Sequence, residues 1–343
     1  MEIPSITNES ELDEVMTRPG EALVAFIGQV QSPLVILGGG GKMGPSLAVQ
    51  ARRAAELAGH ALQVISVSRF SDPAARRWLE ERGVSTLSLD LMERASYARL
   101  PDSANLLYLL GMKFGTSRNP AGTWATMALP PALVCERYPG ARIAALSSGN
   151  VYPFVPVDGR GAGEADDVTP LGEYANACVA RERVFEFCAQ QHGVRLAQVR
   201  LFYAVDLRYG VLLDLALQVW AGRPVDVTTA ALNCIWQGDA NQVVLRALAQ
   251  ADNPPFVFNL TGPDRLAVRE LALRLAVWMG RPVTFTGCEA TSALLGDTSR
   301  MLATFGAPPT PLAWMLRWTA DWVMAGGRTL NKPTHFDTRD GRF

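Results

Sequence analysis

The sequence predicts a doubly wound α/β fold, a parallel sheet covered by helices on both faces, with a smaller mixed region following it. Three observations carry that prediction. Short, wholly apolar segments alternate with helical patterns from about residue 32 to residue 200. The first such segment runs into a glycine loop that opens directly onto a helix. The chain is also long enough, at 343 residues with 48% hydrophobic and 19% charged, to bury a sizeable core.

The elements follow in order. Residues 34 to 37 (LVIL) form the first strand, and an Ala/Arg-rich helix follows from Met43 to about Leu57. Next come a strand at 62 to 67, a helix near 72 to 82, strands at 84 to 89 and 105 to 110, and a helix in 121 to 137. A strand at 142 to 147, a helix around 170 to 191 and a strand at 195 to 200 complete the series. Beyond Arg200 the regularity weakens: a helix is expected at 210 to 221, a strand at 256 to 260 and an amphipathic helix at 267 to 279. The last helix, 311 to 325, carries Trp314, Trp318 and Trp322 one turn apart, a spacing that marks a packed face. The domain division is an N-terminal extension (1–31), a dinucleotide-binding domain (32–202 with about 235–262), and a substrate-binding region (203–234 and 263–343). The extension has a helix start at Ser10-Glu11-Leu12-Asp13, and either packing across the sheet or a dimer contact would employ it.

Charge and cysteine usage narrow the function. With 32 basic and 33 acidic residues the formal charge is -1, so the footprint of a nucleic-acid or membrane-surface binder is missing. The N-terminus has acidic residues where a secretion signal needs basic ones, and no apolar run approaches the roughly 20 residues of a membrane span. A cytoplasmic protein is expected. Cys135, Cys178, Cys188, Cys234 and Cys288 show no metal-ligand spacing with His60, His192 and His335, so no metal is expected. Lysine occurs only at 42, 113 and 332, which leaves few candidates for a catalytic ammonium.

The glycine loop is the strongest local signal. Gly38, Gly41 and Gly44 give G-x-x-G-x-x-G between a strand and a helix, with Lys42 and Met43 inside it. Side chains in such a turn would block backbone N–H groups from a pyrophosphate on the helix N-terminus. At the end of the second strand, where NAD-selective folds place an acid, stand Ser68 and Arg69, which suit a 2'-phosphate. NADP is therefore favoured, and NAD held through Asp72 or a backbone group is the alternative. Asp90 and Leu91, ending the third strand, are placed to face the adenine.

Several ordered pieces over about residues 34 to 275 resemble the extended short-chain dehydrogenase/reductase family, the nucleotide-sugar epimerases, dehydratases and related reductases. Beyond the glycine loop these are Ser147-Ser148-Gly149-Asn150-Val151-Tyr152, Pro170-Leu171-Gly172-Glu173-Tyr174, Val199-Arg200-Leu201-Phe202 and Phe258-Asn259-Leu260-Thr261-Gly262-Pro263. The resemblance implies that Ser148 hydrogen-bonds the reacting oxygen and that Tyr174 passes the proton while hydride moves to or from a nicotinamide. It also implies a homodimer and a small, sugar-like substrate.

Two departures stand out. The family's Tyr-x-x-x-Lys reads Tyr174-x-x-x-Cys178, and a cysteine supplies neither the ribose contact nor the positive charge that lowers a tyrosine pKa. Three accounts compete: Cys178 is a small buried residue of an impaired site, Lys113 just past the fourth strand supplies the charge, or Cys178 is itself a nucleophile. After the sixth strand Tyr203 stands where the family has the asparagine that helps hold a substrate diphosphate. Asn150, Tyr203, Arg208, Asn233, Trp236 and Gln237 are the candidate pocket residues. The leading expectation is an NAD(P)-dependent oxidoreductase, epimerase or dehydratase acting at a secondary alcohol or ketone. The alternative is a nucleotide-sensing protein that has lost turnover with the lysine.

Overall fold

Seven strands form the central sheet in the computed structural model, which describes residues 4–113, 115–116 and 118–342. They are β1 (Leu34–Leu37), β2 (Val64–Ser68), β3 (Ser85–Ser88), β4 (Asn105–Tyr108), β5 (Arg142–Ser148), β6 (Arg195–Leu201) and β7 (Phe256–Leu260). The order is β7-β6-β5-β4-β1-β2-β3 and every pairing is parallel. Each step therefore needs a crossover, and the order reverses direction between β1 and β4, where this architecture opens a crevice at the carboxyl edge. The all-apolar β1 and the equally buried β4 occupy the centre, while the half-polar STLS of β3 lies at an edge where burial is partial.

Helices cover both faces. One core contains Leu34, Ile36 and Leu107 with α3 (Gly44–Leu57) and α8 (Gln237–Arg246). The other contains Val35, Leu106 and Tyr108 with α5 (Pro120–Arg137) and α6 (Glu173–His192). Alternate residues of one strand thus enter opposite cores, which is why these strands read as continuous apolar runs. A third core joins α7 (Val211–Trp220), α9 (Val268–Met279) and α11 (Leu312–Met324), with Trp318 and Trp322 buried inside it. The tryptophan spacing is thus a packing face. Helix α4 (Pro73–Glu80) flanks β3, and α10 (Ser299–Phe305) packs on β7.

The N-terminal extension bridges two of these cores. In α1 (Glu9–Thr17), Leu12 and Met16 enter the C-terminal core; in α2 (Glu21–Ile27), Leu23 and Ile27 enter the sheet core. Helix α1 begins two residues earlier than a cap at Ser10 predicts, because Asn8 accepts the Glu11 N–H at 3.0 Å and leaves Ser10 inside the first turn. The long helix expected from 170 starts at Glu173, after Gly172 with a φ of 84°. Among the described residues no helix is long and apolar enough to cross a membrane. After α11 the chain returns as an irregular strap, residues 329 to 342, across the carboxyl edge of the sheet.

Candidate active site

The glycine loop leaves β1 and turns sharply into α3. Gly38 has a φ of 83°, and its N–H and that of Gly39 both donate to the Val67 carbonyl, at 2.8 and 3.1 Å. A Cβ on Gly38 would lie 2.8 Å from the Leu110 nitrogen, and one on Gly44 would collide with the Gly39 backbone. The fold itself therefore demands glycine at 38 and 44. Gly41 is different: it is exposed, lies outside the positive-φ region, and a Cβ there would meet only the Gly38 carbonyl at 3.4 Å. Nothing in the protein requires glycine at 41, and its bare backbone leaves the outer face of the loop open to close approach by a ligand. Met43 offers α3 no side-chain cap, which leaves that helix start suited to an anion. These features fit a dinucleotide pyrophosphate.

Around the loop, Ser68 ends β2 beside Gly40, Arg69 follows it with an exposed side chain, and Phe70 closes the turn at a φ of 47°. Asp72 caps α4, its Oδ1 accepting the Ala74 N–H at 2.9 Å, and it is exposed. Asp90 ends β3 and accepts from Met92 N–H at 2.9 Å, while Leu91 is buried. Lys42 projects from the loop to donate to the Ala204 carbonyl at 2.9 Å, with its ammonium 4.3 Å above the Tyr209 ring. Burial and the neighbouring Lys113 ammonium outweigh the Asp206 carboxylate and bring Lys42 down to about 7.

Ser148 ends β5 and Tyr174 lies in the first turn of α6, so adjacent strand and helix ends meet at the same edge. Ser148 is hydrogen-bonded to Tyr174, which is in turn hydrogen-bonded to Cys178 one helical turn on. The bond to Ser148 favours the phenolate form of Tyr174, whereas the bond to Cys178 opposes it. Burial raises Tyr174 well above the ordinary range of tyrosine and also pushes the Cys178 thiol up. A protonated, fully buried thiol does not fit the nucleophile account.

A residue that sequence reasoning missed completes this cluster. Arg181 shares the buried face of α6 with Tyr174 and Cys178, is 5% exposed, and donates to the Leu110 carbonyl at 3.0 Å. Its Nε is buried without a hydrogen-bond partner, and its charge pulls both Tyr174 and Cys178 downward against burial. The signal was its spacing, three residues past Cys178 and seven past Tyr174, which returns it to the same helix face. Lys113 donates to the Thr334 carbonyl at 3.3 Å, lies within electrostatic reach of Cys178, and is brought down by burial to about 8.

A buried polar network ties β5 and β6 to α6. Arg200 and Glu182 form a buried ion pair at 2.8 Å. Glu182 also holds Ser147, and Arg200 donates to the Tyr152 hydroxyl at 2.6 Å, which donates to Asn259 at 3.0 Å. This network fixes the end of β5 and hence Ser148.

The candidate pocket residues divide. Asn150 and Tyr203 line a cavity of about 40 Å³ with Tyr152, Ala175, His335 and Arg339. The others have structural partners instead of a place in it. Arg208 pairs with Asp206 (3.3 Å) and Asp13 (3.1 Å), tying β6's outgoing loop to α1. Trp236 is 2% exposed and packs on Trp318 with ring centroids 5.3 Å apart. Asn233 bonds to the Gly296 backbone, and Gln237 donates to Ser46. A larger open hollow of about 480 Å³, walled by Glu164, Asp166, Glu186 and Pro254, includes none of the candidate residues.

No protein-family model and no curated protein sequence matches the chain. Solved structures do match. MoeE5 in complex with UDP-glucose and NAD is 18% identical over 86% of this chain and 99% of its own, with a TM-score of 0.69. The UDP-glucuronic acid 4-epimerase from Bacillus cereus in complex with NAD is 14% identical over 85% and 98%, at 0.71. The UDP-Glc/GlcNAc 4-epimerase from Campylobacter jejuni is 16% identical over 86% and 99%, at 0.69. The likeness defines the class of fold: a doubly wound dinucleotide-type domain carrying a smaller second region. That is the fold expected from the resemblance to extended short-chain dehydrogenases/reductases.

Proposed function

We propose that this chain is a nicotinamide-dinucleotide-dependent oxidoreductase acting on a ketone or secondary alcohol of a small, polar, sugar-like molecule. The observation that carries this reading is the Ser148–Tyr174 hydrogen bond at the carboxyl edge of the parallel sheet, at the same edge as the glycine loop. The loop would hold the pyrophosphate, and the exposed Arg69 beside Ser68 the 2'-phosphate of NADP; NAD, which MoeE5 and the Bacillus cereus epimerase carry, is the alternative, held through Asp72 or a backbone group. The dinucleotide supplies or accepts the hydride. Ser148 orients the reacting oxygen, and Tyr174, held protonated by burial, gives it a proton, so the site favours reduction. Cys178 is a weak acceptor that yields the phenol proton to a substrate carbonyl. Arg181, and behind it Lys113, supply the positive charge that position 178 lacks and stabilise the phenolate that remains. Titration of the purified protein with NADH and NADPH, read by fluorescence and thermal shift, tests the reading; binding of neither overturns it.

One observation favours a second reading, a dinucleotide sensor without turnover: the lysine position holds a buried thiol. Cys178→Lys separates the two. A gain of ketone reduction marks a degraded site, and a loss marks a working variant built around the cysteine.

A further inference from the structure

The strap 329 to 342 packs beside the proposed reacting pair, against Leu171 and Gly172 just before Tyr174 and over a cavity lined by Asn150 and Ala175, neighbours in sequence of Ser148 and Tyr174. The Thr334 N–H and hydroxyl donate to Asp214 at 2.8 and 2.6 Å, and the Thr334 carbonyl receives Lys113. Thr229 donates to the Phe336 carbonyl at 3.2 Å. Arg339 donates to the carbonyl and hydroxyl of Ser292, at 2.9 Å each, with its guanidinium 4.3 Å above the Phe154 ring. Gly341 meets Leu171 and Gly172 backbone to backbone, two residues before Tyr174, so tightly that a Cβ on Gly172 would collide with the Gly341 carbonyl. Three non-glycine residues among those described have positive φ, and two of them, Asn331 (51°) and His335 (56°), are in this strap. Such conformations are costly and recur at clamps and switches.

Size decides what this covering means. The cavity left beneath it, about 40 Å³, is little more than the roughly 30 Å³ share of one water. Ligand sites occupy about 300–1,000 Å³. We propose that residues 329 to 342 are the lid of the substrate subsite: the strap lifts to admit substrate to Ser148 and Tyr174, and on closing His335 and Arg339 form the wall that selects it. The proposal rests on the reading of Ser148 and Tyr174 as the reacting pair. The lining is mixed: His335, Arg339, Asn150 and Tyr203 set polar groups among Pro153, Phe154, Leu171 and Leu294, which fits a small molecule with both an apolar face and hydrogen-bonding groups.

Cys178 reports the lid, because it is fully buried one turn from Tyr174 and within electrostatic reach of the Lys113 that the strap holds. The full chain is treated with N-ethylmaleimide and each cysteine is followed by peptide mass spectrometry. Thr334→Val and Arg339→Ala are each expected to raise the labelling rate of Cys178 at least tenfold while Cys135 and Cys234, buried in other cores, stay protected. An unchanged Cys178 rate in both variants overturns the proposal. So does a rise shared by Cys135 and Cys234, since the strap is then part of the cooperative fold. The chemical reading fails separately: a chain that passes this test but binds neither NADH nor NADPH keeps its lid and loses its dinucleotide.

Discussion

Gly38 and Gly41 belong to one loop, yet the structure assigns them different duties, and alanine at each position separates folding from binding. At Gly38, alanine must adopt a left-handed φ, costing about 1–2 kcal/mol, and place its Cβ 2.8 Å from the Leu110 nitrogen. Overpacking against backbone adds about 1–3 kcal/mol. The expected loss is about 2–5 kcal/mol of stability. At Gly41 the new methyl meets one carbonyl at ordinary contact distance, so stability should change by no more than about 0.5 kcal/mol. The same methyl stands on the exposed face of the loop, where it holds a pyrophosphate away from the backbone. NADPH affinity should fall at least tenfold, about 1.4 kcal/mol. Urea denaturation gives the first quantity and fluorescence titration the second. A Gly41→Ala protein that binds NADPH as tightly as the parent would refute the assignment of this loop as the cradle, whatever its stability.

Three further outcomes follow from the same geometry. Arg200→Met strands the buried Glu182 without its partner and should cost about 3–5 kcal/mol in urea denaturation, whereas Glu182→Leu with Arg200→Met should recover at least half; equal losses would show that the ion pair is incidental. Tyr174→Phe should abolish hydride transfer while leaving NADPH affinity within about threefold, and normal rates in that variant would remove the phenol from the mechanism. Lys42 binds its proton less tightly in the fold, at about 7, than its ordinary value of 10.5, so the unfolded chain holds the extra proton between those values. Lys42 therefore adds stability as pH rises from 7 to 9.5, against the loss from buried thiols such as Cys135 and Cys234 whose values are raised, so the stability difference between the parent and Lys42→Met should grow across that interval. A Lys42→Met profile that matches the parent would place the ammonium in water.

The sheet was legible because its residues carry local signals. A strand such as LVIL is apolar on both faces only where both faces are covered, and most of the strands were followed by a helical period. The glycine loop was legible for a similar reason: its turn, its strand and its helix are contiguous. Candidate residues outside contiguous motifs fared differently. Arg208 and Trp236 have the composition of pocket residues, but an arginine among carboxylates and an indole among apolar neighbours are equally at home as ties and core, and only their partners distinguish the two.

The sequence by itself determined the α/β class, the glycine loop and the Ser148 and Tyr174 positions, because each rests on spacing within one or two consecutive elements. Tertiary structure alone decided that Arg181 lies near Tyr174, that α1 and α2 bridge two cores, and that residues 329 to 342 pack against Lys113 and Gly172. Arg181 is one of many arginines until Leu110 is brought to it, and Thr334 reaches Lys113 across 221 positions of chain. Contacts between residues so far apart are set by how the elements pack, and no local propensity in either segment encodes them.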